Sequence, residues 1–103
     1  MVLIDFSIFP LDKGASVSPY VARVVDIVDR SGVDYQCHAM GTILEGDDLD
    51  RLMALVRECF QALTADCERI ECYMKLDYRK GKRGRLRGKV ASVEEKLGRA
   101  VDK

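Results

Sequence analysis

The order of strand-like and helix-like segments predicts an α+β fold, with one antiparallel sheet and helices packed on one face. Apolar residues alternate with other residues in segments 2–10 and 70–78, as in half-buried strands. They recur at helical spacing in three other segments. The resulting order is βαββαβ followed by an additional C-terminal helix. Right-handed crossovers fold this order into a four-stranded antiparallel sheet of strand order 4-1-3-2, the ferredoxin-like plan.

The first strand and helix are marked by clear local signals. Val2, Ile4, Phe6 and Ile8 share one face of a strand that ends near Pro10. Ser18 followed by Pro19 is typical of an N-cap and a first helical turn, and Gly32 supplies a stop. The apolar stripe between them consists of Val21, Val24, Val25 and Val28.

The remaining elements follow the same rules. Residues 35–40 and 42–45 predict two strands around Gly41, and Asp47 or Asp48 is expected to cap the second helix. A strand follows over 70–78, and a last helix is predicted over about 89–101. The expected buried stripe of the second helix is Leu49, Leu52, Met53, Val56, Phe60 and Leu63, and that of the last helix is Val90, Val93, Leu97 and Val101.

Length and composition limit what the chain can be. The 103 residues suffice for one hydrophobic core, so we expect a single ferredoxin-like domain over 1–103. Seventeen acidic residues offset seventeen basic ones, which argues against a protein that works mainly on nucleic acid. The N-terminal segment lacks a basic start, and no apolar stretch approaches the roughly 18 residues that span a bilayer. We therefore expect a cytoplasmic protein with no membrane partner.

The sequence offers little for catalysis or metal binding. Asp5, Glu45, Asp77 and His38 are the candidate acids and bases, but no set of nucleophile, base and orienting group is visible. There is one histidine, and the four cysteines form no CxxC pair, so buried thiols in the core are the favoured interpretation. We expect no enzymatic activity, no metal and no cofactor.

The sheet face opposite the two helices is the first candidate surface. It is expected to mix polar and aromatic groups, which suits a solvated face, a ligand site or a partner surface. A small domain often covers such a face by self-association, so we expect a homo-oligomer. The expected members are Asp5, Ser7, Phe9, Tyr73, Lys75 and Asp77, with Gln36, His38 and Met40.

The basic segment 79–89 is the second candidate surface. Seven of its eleven residues are Lys or Arg and none is acidic, so it could bind a phosphate or a nucleic acid. However, the third strand "GTILEG" lacks the aromatic residues on which RNA-recognition modules of this topology stack bases. The alternative interpretation is a solvated connector that pairs with the acids of "EGDDLD" or with another subunit.

Three stretches in order resemble the small YkoF-like thiamine-binding family, once known as an uncharacterised conserved family. They are "FSIFPL" with "GASVSPYVARVVDIVDRSGVDYQ", then "MGTILEG", then "KLDYRKG" with "KVASVEEKL". The most specific match is Met-Gly-Thr-x-x-Glu-Gly at 40–46, supported by Ser-Val-Ser at 16–18 and Lys-x-Asp at 75–77. One departure is Ala39, where relatives often have proline.

The resemblance implies a cytoplasmic homodimer or homotetramer, paired through its sheet face, that binds thiamine or its hydroxymethylpyrimidine part. Carried over by position, Thr42 and Glu45 would contact the pyrimidine, and Glu45→Ala is expected to abolish binding. The supporting hydroxyls would be Ser7, Ser16 and Ser18, and the apolar walls Phe9 and Met40. The leading hypothesis is therefore a non-enzymatic binding protein. The alternative is an oligomeric interaction or scaffold protein whose segment 79–89 binds an anionic partner.

Overall fold

Four strands and three helices make up the structure, a computed structural model that describes residues 1–81 and 83–103. In chain order the elements are β1 (Val2–Pro10), α1 (Ser18–Arg30), β2 (Asp34–His38), β3 (Gly41–Gly46), α2 (Leu49–Thr64), β4 (Ile70–Tyr78) and α3 (Arg85–Leu97). The strands form one antiparallel sheet in the order β2-β3-β1-β4, which is 4-1-3-2 from the other edge. The predicted α+β, ferredoxin-like fold with an additional C-terminal helix is confirmed.

The hydrophobic core lies between the sheet and the pair of helices α1 and α2. The alternating residues Val2, Ile4, Phe6 and Ile8 of β1 are all buried on this side, as their period predicts. Helix α1 contributes Val24 and Val28, and β3 contributes Leu44. Burial of an aliphatic or aromatic side chain of this size stabilises a fold by about 1.5–3 kcal/mol, so this layer supplies the main driving force for folding.

The predicted start of α1 is wrong in one detail. Ser18 is the first helical residue and not the N-cap, because Val17 occupies the cap position and no side chain there accepts a hydrogen bond. Pro19 does lie in the first turn, where its missing N–H costs nothing. For α2 the predicted cap is confirmed: Asp48 is the N-cap, and its carboxylate accepts the backbone N–H groups of Asp50 and Arg51.

The buried face of α2 differs from the predicted one. Leu52, Val56 and Leu63 are buried as expected, but Leu49, Met53 and Phe60 are exposed. Leu55 and Cys59 take their places in the core. The predicted helical period is correct, but the buried stripe is rotated around the helix axis from the predicted one. The packing of α2 on the sheet decides which of two adjacent apolar stripes is buried. Burial raises the pKa of the Cys59 thiol to about 12, so this residue is an apolar core residue.

Helix α3 lies four residues earlier than predicted. It begins after Gly84 and ends before Gly98, two glycines with left-handed backbone conformations, and the Gly98 N–H donates to the carbonyls of Glu94 and Glu95. The predicted stripe does not form a core, since Val93 and Leu97 are exposed. The buried residue of α3 is Leu86, in the first turn, where the backbone N–H donates to Glu45 of the sheet.

The unequal lengths of the strands leave a gap in the sheet. Strand β1 pairs with β4 along its whole length, from Val2 to Pro10. On its other side it pairs with β3 only from Val2 to Phe6. Strand β2 also ends at His38, two residues earlier than predicted, because residues 39 and 40 form the turn to β3. The second half of β1 therefore has no neighbouring strand on the β3 side.

Candidate functional site

A cavity of about 470 Å³ lies at this gap, where the β2–β3 turn stops short of the second half of β1. Its lining comes from β1 (residues 6–9), the N-terminal part of α1 with Val17, the β2–β3 turn and Tyr73 of β4. Residues from both faces of the sheet contribute, because no strand fills the space between them. A volume of this size is typical of sites for small organic molecules.

The walls of the cavity are mainly apolar. Val17, Val21 and Val24 line it from the helix side. On the opposite face the rings of Phe9 and Tyr73 stack, with centroids 6.2 Å apart and an interplanar angle of 17°. The Tyr73 hydroxyl donates to Glu71, a hydrogen bond that raises the pKa of the tyrosine. Aromatic faces in this position can pack against a flat ring or a cation.

Two hydroxyl groups interrupt this apolar surface. Thr42 is 5% exposed and projects to the helix side of β3, opposite Phe6, while Ser7 lies on the other face of β1. Within the described residues neither hydroxyl is fixed by a hydrogen bond, and no side-chain oxygen is both fully buried and without a partner, so both hydroxyls are open to the cavity. Both can donate and accept, so they are available to the polar atoms of a ligand.

His38 holds the rim of the cavity in place. Its Nδ1 accepts the backbone N–H of Met40 over 3.2 Å, so this nitrogen is unprotonated in the arrangement shown. Its Nε2 therefore bears the hydrogen and donates to Asp5 Oδ1, also at 3.2 Å. A neighbouring cavity of about 270 Å³, on the sheet face opposite α1 and α2, is lined in part by Asp5, His38 and Lys75. The imidazole thus joins the β2–β3 turn to a carboxylate on β1.

Glu45 lies away from this cavity. It is three positions after Thr42, so the two side chains project from opposite faces of β3. Glu45 is 6% exposed, and its Oε2 accepts the backbone N–H of Leu86 over 2.6 Å at the start of α3. It lines a separate cavity of about 260 Å³. The structure therefore places Thr42 and Glu45 in different cavities.

The other predicted site residues divide into two groups. Phe9 and Met40 line the 470 Å³ cavity with Ser7 and Thr42, and Met40 is 82% exposed at the rim. Ser16 and Ser18 are exposed and do not line it, although Val17 between them does. The lining residues that sequence reasoning did not name for the ligand include Val21 and His38. His38 could have been found from its place on the strand that leads into the Gly41 turn.

The arginines of segment 79–89 are partly occupied by acids. Arg83 pairs with Asp47 at 3.1 Å, which agrees with the connector interpretation, and Arg85 pairs with Asp77. Lys82, also counted in this segment, lies outside the described residues. Two of the cations therefore already have carboxylate partners within the chain, which lowers the support for an anionic partner at this segment.

Within 1–81 and 83–103, no cluster of three or more His, Cys, Asp or Glu side chains could hold a metal ion. In the same residues, none of the helices combines the length and the apolar character that crossing a membrane requires.

Comparison with known proteins assigns the family. A sequence profile described as "Thiamine-binding protein" matches residues 4–94. The chain belongs to this thiamine-binding protein family. Similar proteins include a UPF0045 protein of Methanocaldococcus jannaschii, which is 35% identical over 91% of this chain and 93% of the relative. A UPF0045 protein of Mycobacterium tuberculosis is 37% identical over 93% of this chain and 94% of its own. The resemblance noted from the sequence is confirmed.

Solved structures of similar proteins agree with the fold of this thiamine-binding family member. A hypothetical protein of Methanocaldococcus jannaschii superimposes with a TM-score of 0.83 at 35% identity, covering 91% of this chain and 96% of that one. A Thermotoga maritima protein, assigned by inference to thiamine biosynthesis or salvage, has a TM-score of 0.78 at 20% identity and covers 89% of this chain and 97% of that one. At 20% identity, the similarity to the Thermotoga maritima protein shows a shared fold.

Proposed function

We propose that the protein is a cytoplasmic, non-enzymatic binding protein that holds thiamine or its hydroxymethylpyrimidine part in the cavity beside β1. The observation that supports this most is the cavity of about 470 Å³, which combines apolar walls with the accessible hydroxyls of Ser7 and Thr42. Four of the seven residues expected from the family motif line it: Ser7, Phe9, Met40 and Thr42. Membership of the thiamine-binding family supports the same ligand class.

The chemistry of the lining suits such a ligand. An aminopyrimidine presents ring-nitrogen acceptors and an amine donor, and the hydroxyls of Thr42 and Ser7 can meet either kind of group. A thiazolium ring is a cation, which the stacked rings of Phe9 and Tyr73 favour. Its charge is also favoured by the carboxylate of Asp5 in the adjoining cavity.

The position of His38 supports binding over catalysis. His38 is the histidine that lines the cavity. To act as a general base there, it would have to take a proton from the hydroxyl of Ser7 or Thr42. Both of its ring nitrogens are engaged, one by the Met40 N–H and the other by Asp5. We therefore assign His38 a structural role at the rim.

Thr42→Val tests this function. Thiamine should raise the melting temperature of the wild-type protein by mass action. In Thr42→Val the dissociation constant should rise about tenfold, because a methyl replaces a hydroxyl without changing the volume of the side chain. Thr64→Val is the matched control: its hydroxyl donates to the Gln61 carbonyl at the end of α2, far from the lining. No response of the wild type to millimolar thiamine or hydroxymethylpyrimidine would refute the proposal.

We also propose that the protein self-associates through its sheet, at the free edge of β4. Met74, Leu76 and Tyr78 lie on the helix side of this edge strand, yet remain exposed. Two β4 strands paired antiparallel about Leu76 would bring Lys75 of one copy opposite Asp77 of the other, with Met74 opposite Tyr78. Sedimentation should show a dimer or larger species that Leu76→Arg converts to monomer and Leu11→Arg does not. A wild type that remains monomeric at high concentration would contradict this.

A further inference from the structure

The gap in the sheet leaves the backbone N–H and C=O of one β1 residue, Ile8, without a strand partner. Ile8 pairs with Cys72 of β4, and no residue of β3 faces it on the other side. No backbone or side-chain hydrogen bond to Ile8 compensates within the described part of the chain. Ile8 is 4% exposed and lines the 470 Å³ cavity. An unmade hydrogen bond at a buried position is costly, so the N–H and C=O of Ile8 favour any partner that enters the cavity.

The direction in which the Ile8 N–H and C=O point follows from the ladder. In an antiparallel strand, the N–H and C=O of one residue point to the same side, and successive residues alternate. At the two ends of β1 the odd residues bond toward β4: Met1 accepts from the Arg79 N–H, and the Leu11 N–H donates to the Arg69 carbonyl. The even residues therefore point toward β3. For Ile8 that direction is the cavity.

Met40, the residue that would continue the ladder opposite Ile8, directs its N–H elsewhere. Phe6 faces Thr42, so an extension of the register would place Met40 opposite Ile8. The Met40 N–H instead donates to Nδ1 of His38. Pro10, the next even residue, has no N–H to satisfy. The Pro10 carbonyl points the same way, but Pro10 does not line the cavity, so the edge that the cavity reaches offers one donor beside one acceptor, both from Ile8.

We infer that the N–H and C=O of Ile8 form the recognition edge of the cavity, binding a heteroaromatic ring that carries a nitrogen acceptor next to an exocyclic amine. The ring nitrogen accepts from the Ile8 N–H, and the amine donates to the Ile8 carbonyl. The ligand then occupies the position of the missing strand residue. This inference rests on the proposed function and specifies it, because the aminopyrimidine of thiamine has this pair of groups.

The pairing predicts selectivity against one close analogue. In oxythiamine the amine is replaced by a carbonyl oxygen, and the neighbouring ring nitrogen carries a hydrogen. Donor then faces donor at the Ile8 N–H, and acceptor faces acceptor at its carbonyl. The hydroxyls of Ser7 and Thr42 can reverse their roles, whereas a peptide group cannot. Oxythiamine should therefore bind at least about tenfold more weakly than thiamine.

Amide hydrogen exchange measured by NMR tests the contact directly. Saturating thiamine should slow exchange of the Ile8 amide about tenfold or more, because the amide gains a hydrogen bond. The Phe6 amide is the internal reference, since it already faces β3 and should change little. If thiamine raises the melting temperature while Ile8 exchange stays unchanged, or if oxythiamine binds as well as thiamine, the inference is overturned and the proposed function stands. If neither compound binds, both are overturned.

Discussion

Replacing Gly41 by alanine is expected to destabilise the protein by about 1–3 kcal/mol, the range for a side chain forced into a packed site. A methyl at this position would lie 2.6 Å from the carbonyl oxygen of Phe6 and 3.3 Å from its carbon. That oxygen belongs to the backbone of a central strand whose side chain is buried, so it cannot move aside as a surface side chain would. The β2–β3 turn must shift instead.

Gly88→Ala is the matched control for Gly41→Ala. A methyl at Gly88 meets nothing within 4 Å, and the residue lies inside α3. Alanine is about 0.5–1 kcal/mol better than glycine in a helix, so this variant should be slightly more stable than the wild type. Urea unfolding of both variants measures the difference. Because Gly41 also lines the cavity, Gly41→Ala should weaken thiamine binding as well. If Gly41→Ala were as stable as the wild type, the backbone of Phe6 could not lie as close to Gly41 as described.

Replacing Glu45 by alanine is expected to release α3 from the sheet. The buried carboxylate accepts the Leu86 N–H, and hydrogen bonds to charged groups are worth about 1.5–3 kcal/mol. Amide exchange should therefore accelerate in α3, with smaller changes in β1. The thermal response to thiamine should persist, because Glu45 does not line the 470 Å³ cavity. The family motif taken alone predicted the opposite result, loss of binding.

Glu95→Ala separates this effect from a general loss of negative charge. Glu95 is an exposed residue of α3, so its replacement should leave exchange in the first turn unchanged. Glu45→Gln should fall between the wild type and Glu45→Ala, since an amide oxygen can still accept the Leu86 N–H. If Glu45→Ala abolished the thiamine response while α3 stayed protected, Glu45 would contact the ligand and the assignment of the cavity would be wrong.

Several parts of the fold were predictable because their signals are local. The period of two along β1 placed Val2, Ile4, Phe6 and Ile8 on one face, and all four are buried. Asp48 could be recognised as a candidate cap of α2 because a carboxylate there meets N–H groups only two and three residues away. The stop of α3 at Gly98 was also available in the sequence, but the apolar residue Val101 extended the predicted helix too far.

The candidate site was only partly predictable. The motif at 40–46 located the β2–β3 turn and named Met40 and Thr42, which line the cavity. Alternation along a strand would already have separated Thr42 from Glu45, since residues three apart lie on opposite faces. The partner of Glu45, the Leu86 N–H, lies 41 residues further along the chain, and no local pattern indicates it.

By itself, the sequence determined the element order, the strand faces and the family, because these depend on periodicity and on short motifs. Only the tertiary structure decided which apolar stripe of α2 is buried, and that β3 stops opposite Phe6 while β1 continues to Pro10. Such features depend on contacts between segments distant in the chain, whose energies outweigh local preferences. The cavity beside Ile8 exists for that reason: one hairpin is shorter than the strand against which it pairs.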